Sequence, residues 1–152
     1  MKLERLTALP NKRTFTIKPI KEFRDKWKIP GKSLDLFPYP FERDALEVLK
    51  ETEDNSIFYI DYDPPYSQRQ LKEVYHNIGF HYEMNSGFWR KMEVEIFRIL
   101  AHKGRVLRCG WNSKQIPGLE ILDGITVYHG GQHNDTIVTI QEKRQVTVRG
   151  KR

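Results

Sequence analysis

The chain has 152 residues, enough for one domain with a buried core and short for two. Its 38% hydrophobic and 30% charged content excludes a disordered chain, and no apolar run approaches the roughly 20 residues that cross a bilayer. The formal net charge of +6 is unevenly placed: residues 1–32 carry ten Lys/Arg against three Asp/Glu, residues 33–73 four against ten, and residues 141–152 five against one. Basic ends around an acidic middle suit a phosphate-rich partner that reaches an acidic pocket; they equally suit a small protein kept soluble by lysines. Cys109 is the one cysteine, so no intramolecular disulfide forms, and the N-terminus lacks an apolar core of signal-peptide length. An intracellular, cytoplasmic protein is the expectation.

In chain order, a basic lead-in (1–13) precedes "KPIKEFRDKW" (18–27), a short helix whose Ile20, Phe23 and Trp27 are spaced three and four apart. "SLDLF" (33–37) reads as a short strand, and "ERDALEVLKE" (42–51) as a helix with Asp44 near its positive end. "SIFYIDY" (56–62) is apolar on both faces, as a central parallel strand is. A helix over 67–79 follows, with Ser67 as cap and Gly79 as stop. "GFWRKMEVEIFRILAHKG" (87–104) carries Phe88, Met92, Ile96 and Ile99 on one stripe and predicts a longer helix stopped by Gly104. Strands are expected at 104–111, 119–129 and 136–143, and the basic tail 144–152, like the lead-in, is expected to be mobile. Alternating strands and helices, closed by strands, predict a single α/β sandwich over 1–152, mostly parallel, with a C-terminal antiparallel hairpin.

The candidate site lies where "SIFYIDY" ends, in Asp63-Pro64-Pro65-Tyr66. Ligands of open α/β sheets bind beyond the carboxyl ends of the strands. Two consecutive prolines fix φ and remove two N–H donors, so this corner offers acceptors and almost no donors. Tyr66 adds a flat face for stacking a ring. Such a corner matches an exocyclic amino group on a planar base.

"DPPY" after an apolar strand resembles the catalytic motif of the DNA amino-methyltransferases, which methylate adenine N6 or cytosine N4. The segment "DALEVLKETEDNSIFYIDYDPPYSQRQLKEVY" is similar to the passage through that motif in phage-type adenine methyltransferases. "TFTIKPIKEF" (14–23), "GWNS" (110–113) and "HGGQHNDTIVTIQEK" (129–143) resemble its lead-in and later strands. The resemblance implies a Rossmann-like methyltransferase fold and direct methyl transfer from S-adenosylmethionine to the amino nitrogen of a base, most readily adenine in DNA. It implies roles for the Asp63 carboxylate and Pro64 carbonyl on the amino group, with Pro65 completing the corner and Tyr66 stacked on the base. Asp35, Phe37, Asp44 and Asp61 are the implied cofactor residues, and Trp111, Asn112 and Ser113 the implied lining of the substrate pocket. A phage or viral origin, with the host cytoplasm as location, and a homodimer that completes the cofactor site are further expectations.

The sequence also departs from that pattern. The family's cofactor site opens with a glycine-bearing loop, yet no glycine occurs between Gly31 and Gly79. The run from Asp35 to Asp44 is too short for the helix and second strand that normally follow, and the acid expected on the cofactor ribose has no counterpart. The cofactor half therefore reads as reduced in size. A second reading is a homologue that has lost catalysis and serves as a nucleic-acid-binding or structural protein. Elsewhere, His129, His133 and Asp135 read as a tight turn whose side chains satisfy backbone groups rather than as a metal site. Cys109, Phe88 and Trp89 read as core.

Overall fold

The computed structural model describes residues 3–11, 13–38, 43–65, 86–131 and 133–144, together with Arg69 and Lys72, which are helical. The strands are β1 (Glu4–Thr7), β2 (Ser33–Asp35), β3 (Ile57–Tyr62), β4 (Leu100–Gly110), β5 (Leu119–Tyr128) and β6 (Thr136–Lys143). The helices are α1 (Lys18–Trp27), α2 (Ala45–Glu51) and α3 (Ser86–Ile99), with a 3-10 turn at Thr14–Thr16 ahead of α1. The rest of the helix expected over 67–79, and Tyr66 with it, lies outside the described residues.

The six strands form one sheet in the order β1-β5-β6-β4-β3-β2. Strand β6 runs antiparallel to β4 and β5, and every other pairing is parallel. This is the expected mostly parallel sheet with a closing hairpin. The alternation of β3 explains why it is apolar on both faces. Ile60 and Tyr62 point to one face, into a core with Leu46 and Leu49 of α2 and Met92 and Ile96 of α3. Tyr59 points to the other face, into a second core with Ile20 and Phe23 of α1, Leu107, Cys109, Val138 and Ile140. Sheet layers covered on both sides bury both sets of side chains. Cys109, Phe88 and the partly buried Trp89 are core, as expected.

Two features differ from the sequence expectation, each through contacts made at long range. Glu4–Thr7, inside the lead-in, is a strand because its backbone pairs in register with Ile125–Tyr128 of β5. Helix α3 ends at Ile99 instead of reaching Gly104, and the chain passes straight into β4. Its last carbonyls are taken by partners distant in sequence: Asn55 N–H donates to Arg98 O, Ser56 N–H to Ile99 O, and Lys143 Nζ to the carbonyls of Phe97 and Leu100. A cation at that end also meets the negative pole of the helix. Residues 111–118 then join β4 to β5 across the α3 face of the sheet without a helix. Gln141, fully buried on β6, pins them by accepting from Ile116 N–H and donating to Lys114 O. Gly118 closes the crossing at φ +87°, directly against the Phe97 ring, where any side chain would collide.

Candidate functional site

The carboxyl ends of β2, β3 and β4 gather the site. Asp35 ends β2 and is aligned with Asp61 in β3, so both carboxylates stand on the α1 face of the sheet. Asp63 follows β3, half-buried, and Pro64 and Pro65 behind it are buried. The corner is therefore packed into the fold with an acid at its rim, and no N–H can come from either proline. The sequence thus brings Asp35, Asp61, Asp63 and the two prolines to one end of the sheet; Tyr66 lies outside the described residues.

Arg24, on α1, was not among the sequence candidates, and it organises this end. Its Nε donates to both oxygens of Asp61 at 3.0 and 3.1 Å, and its Nη2 donates to Oδ2 at 2.7 Å. The Asp61 side chain is only 6% exposed and that of Arg24 26%, so the pair is largely shielded from water. The hydrogen bonds to Asp61, reinforced by its charge, hold the guanidinium firmly protonated. The guanidinium also lies over the Phe15 and Tyr59 rings. Tyr59 is fully buried; its hydroxyl faces the Asp61 carboxylate but does not meet it in hydrogen-bond geometry. Burial, with the Asp61 charge beside it, pushes Tyr59 far above the usual phenol range. An arginine bound to one carboxylate thirty-seven residues away leaves no periodic signature, so only the folded chain reveals it.

Among the described residues Asp35 has no such guanidinium to itself. Burial and the neighbouring Asp61 charge push its carboxyl up to about 6, against which the Phe37 N–H bond to Oδ1 works only partly. The folded state thus holds this proton more tightly than the unfolded chain, whose Asp35 titrates near 3.8. The sign follows: Asp35 contributes stability that is present below about pH 4 and is lost as pH rises through about 6. Thermal melting of the free protein should show this decline, and Asp35→Asn should flatten it. The residue as a whole is exposed at the edge of the sheet, so screening softens the slope. A decline unchanged in Asp35→Asn assigns the effect to another group.

The remaining candidates are divided between local structure and the rim. Asp44 is buried and caps α2, accepting from Leu46 N–H. Phe37 packs against the buried Tyr62, ring centres 6.2 Å apart. Trp111 is 44% exposed just past β4. Asn112 serves its own turn: its side chain accepts from Lys114 N–H and its carbonyl from Arg108 Nη1, while Ser113 is exposed. At the same end of the sheet, past β5, His129 donates from Nδ1 to Ala8 O at 3.0 Å and accepts at Nε2 from the Thr136 hydroxyl at 2.7 Å. Asp135 pairs with Arg5. His129 and Asp135 thus tie this segment to the chain around β1. Among the described residues no group of three or more His, Cys, Asp or Glu is placed to hold a metal ion, and no helix is long and apolar enough to cross a membrane.

No protein-family profile and no protein of curated function matches the sequence. Solved structures do match the fold. An Escherichia coli protein classed as a methyltransferase, yhhF, superposes with a TM-score of 0.54 over 91% of this chain and 90% of its own, at 8% identity. A Thermus thermophilus protein classed as a DNA modification methylase gives 0.45 at 18% identity; 76% of this chain spans about half (55%) of that one. A Sulfolobus solfataricus protein classed as a type 11 methyltransferase gives 0.41 at 12% identity, over 95% and 86% of the two chains. The likeness is one of fold: a mixed, six-stranded Rossmann-like α/β sheet of the kind found in methyltransferases, here in a small form.

Proposed function

We propose that the chain is an S-adenosylmethionine-dependent methyltransferase acting on an exocyclic amino group of a nucleic-acid base, with adenine N6 in DNA as the leading substrate. The observation that carries this reading is the Asp63-Pro64-Pro65 corner at the carboxyl end of β3, within a methyltransferase-type sheet. S-adenosylmethionine would supply the methyl group on a sulfonium: the amino nitrogen would bond the methyl carbon as the carbon–sulfur bond breaks, S-adenosylhomocysteine would leave, and one N–H proton would pass by way of the Asp63 carboxylate to water, with no covalent bond to the protein. Asp35 suits that cation. Burial and a like charge make its ionised form costly, and a positive group beside it relieves that cost. Asp63 and the Pro64 carbonyl are acceptors for the amino N–H groups, which directs electron density onto the nitrogen and stabilises positive charge there as the methyl arrives. Asp61, bound by Arg24, acts as a support that keeps the end of β3 against α1. The basic ends of the chain would carry the phosphates.

Calorimetric titration of the folded protein with S-adenosylmethionine and S-adenosylhomocysteine tests the reading; binding is expected, followed by transfer of tritiated methyl to DNA. Absence of heat at high ligand concentration overturns it. One observation favours a second reading, a nucleic-acid-binding homologue without catalysis. Among the described residues the sheet ends at β2, a three-residue edge strand, on the side where the cofactor half is reduced. Steeply salt-dependent DNA binding without cofactor binding selects it.

A further inference from the structure

We infer that Arg108 is a phosphodiester contact beside the Asp63 corner, an inference that rests on the nucleic-acid reading above. Four described arginines are neither exposed nor buried: Arg24, Arg98, Arg105 and Arg108. The first three hold carboxylates, on Asp61, on Asp54 and Glu95, and on Glu142. Among the described residues Arg108 holds none, and its partner is one backbone carbonyl, that of Asn112, which engages Nη1 at 2.9 Å and leaves four of its five N–H donors without a described partner. A partly buried guanidinium without a counter-ion is an energetic loss that an incoming anion removes.

Its place in the fold selects the anion. Arg108 is aligned with Tyr62, the residue before Asp63, so its side chain rises at the same end of the sheet as the corner. It stands on the α3 face, whereas Asp35 and Asp61 stand on the α1 face, so cation and carboxylates flank the corner from opposite sides. Its guanidinium lies over Gly110: a Cβ there would come within 3.3 Å of Nη1, so the missing side chain leaves this arginine its room. On that face Glu93 is buried and paired with Lys114 at 3.3 Å. Trp111 is exposed in the same turn. A planar fork next to a base-sized corner fits the phosphate of a nucleotide adjoining the target base.

The test measures binding of the full chain to a labelled duplex and to its single strand, across about 50 to 200 mM salt. Arg108→Gln and Arg108→Met, which keeps an aliphatic stem, should weaken binding roughly tenfold at low salt and reduce the log–log salt slope by about 1. Arg108→Lys should keep the slope, because the point charge remains. Thermal melting of each variant identifies any that do not fold, and one folded neutral variant decides the matter. Wild-type affinity and slope in that variant overturn the Arg108 contact and leave the proposed function standing. Failure of the wild-type chain to bind DNA or RNA at low salt overturns both.

Discussion

Replacing Asp63 with alanine should reduce methyl transfer by about 100- to 1,000-fold while leaving S-adenosylmethionine affinity nearly unchanged. Asp63 follows β3 and sits half-buried at the rim of a corner whose two prolines are packed inside. In the proposed reaction the amino nitrogen gains positive charge as the carbon–sulfur bond breaks. A fixed carboxylate at that point is worth more in the transition state than in the ground state, so its loss falls on kcat rather than on binding. Asn at this position keeps the volume and one acceptor but not the charge, and Asp63→Asn should fall between wild type and alanine. Folding should be little affected, within about 1 kcal/mol, since the buried part of the corner is the proline pair. Single-turnover transfer of tritiated methyl, beside calorimetric cofactor titration, separates these effects. Loss of cofactor binding in Asp63→Ala, with transfer otherwise intact at saturation, would place Asp63 in the cofactor site instead.

Arg24→Ala should be the most destabilising substitution at this end of the molecule, by about 3–5 kcal/mol. It leaves Asp61, at 6% side-chain exposure, with a buried charge and no counter-ion, beside a second carboxylate on Asp35. It also removes the tie between α1 and β3, and the cation over the Phe15 ring. Against a total stability of about 5–15 kcal/mol, such a loss brings the chain near its folding threshold. Urea unfolding should show a lower midpoint with an unchanged slope. The double variant Arg24→Met with Asp61→Leu should recover much of the stability, because two apolar groups replace the pair. A single-mutant loss below about 1 kcal/mol, the level of an exposed pair, would show that water reaches the site freely.

These two residues mark what each level of description reaches. The corner at Asp63 was legible because its neighbours are local: a run apolar on both faces, an acid and two prolines define a buried strand and its rigid stop without reference to the rest of the chain. The stripe of Met92, Ile96 and Ile99 was legible for the same reason, as it is set by the dihedral period within one element. Arg24 was not legible, nor was Arg108 as the partly buried arginine without an acid. Whether a cation is paired depends on which carboxylate the sheet register brings beside it, and Arg24 and Asp61 meet only through the packing of α1 on β3. The end of α3 at Ile99 is another such case. Its stop lies in Lys143, Asn55 and Ser56, which reach its carbonyls from other elements, while Gly104 merely looked like a terminator. By itself the sequence determined the order of the described elements from α1 to β6, the mostly parallel sheet with its closing hairpin, and the corner. Tertiary structure alone decided which charges neutralise one another around that corner, because a charge pair is a property of distance in space.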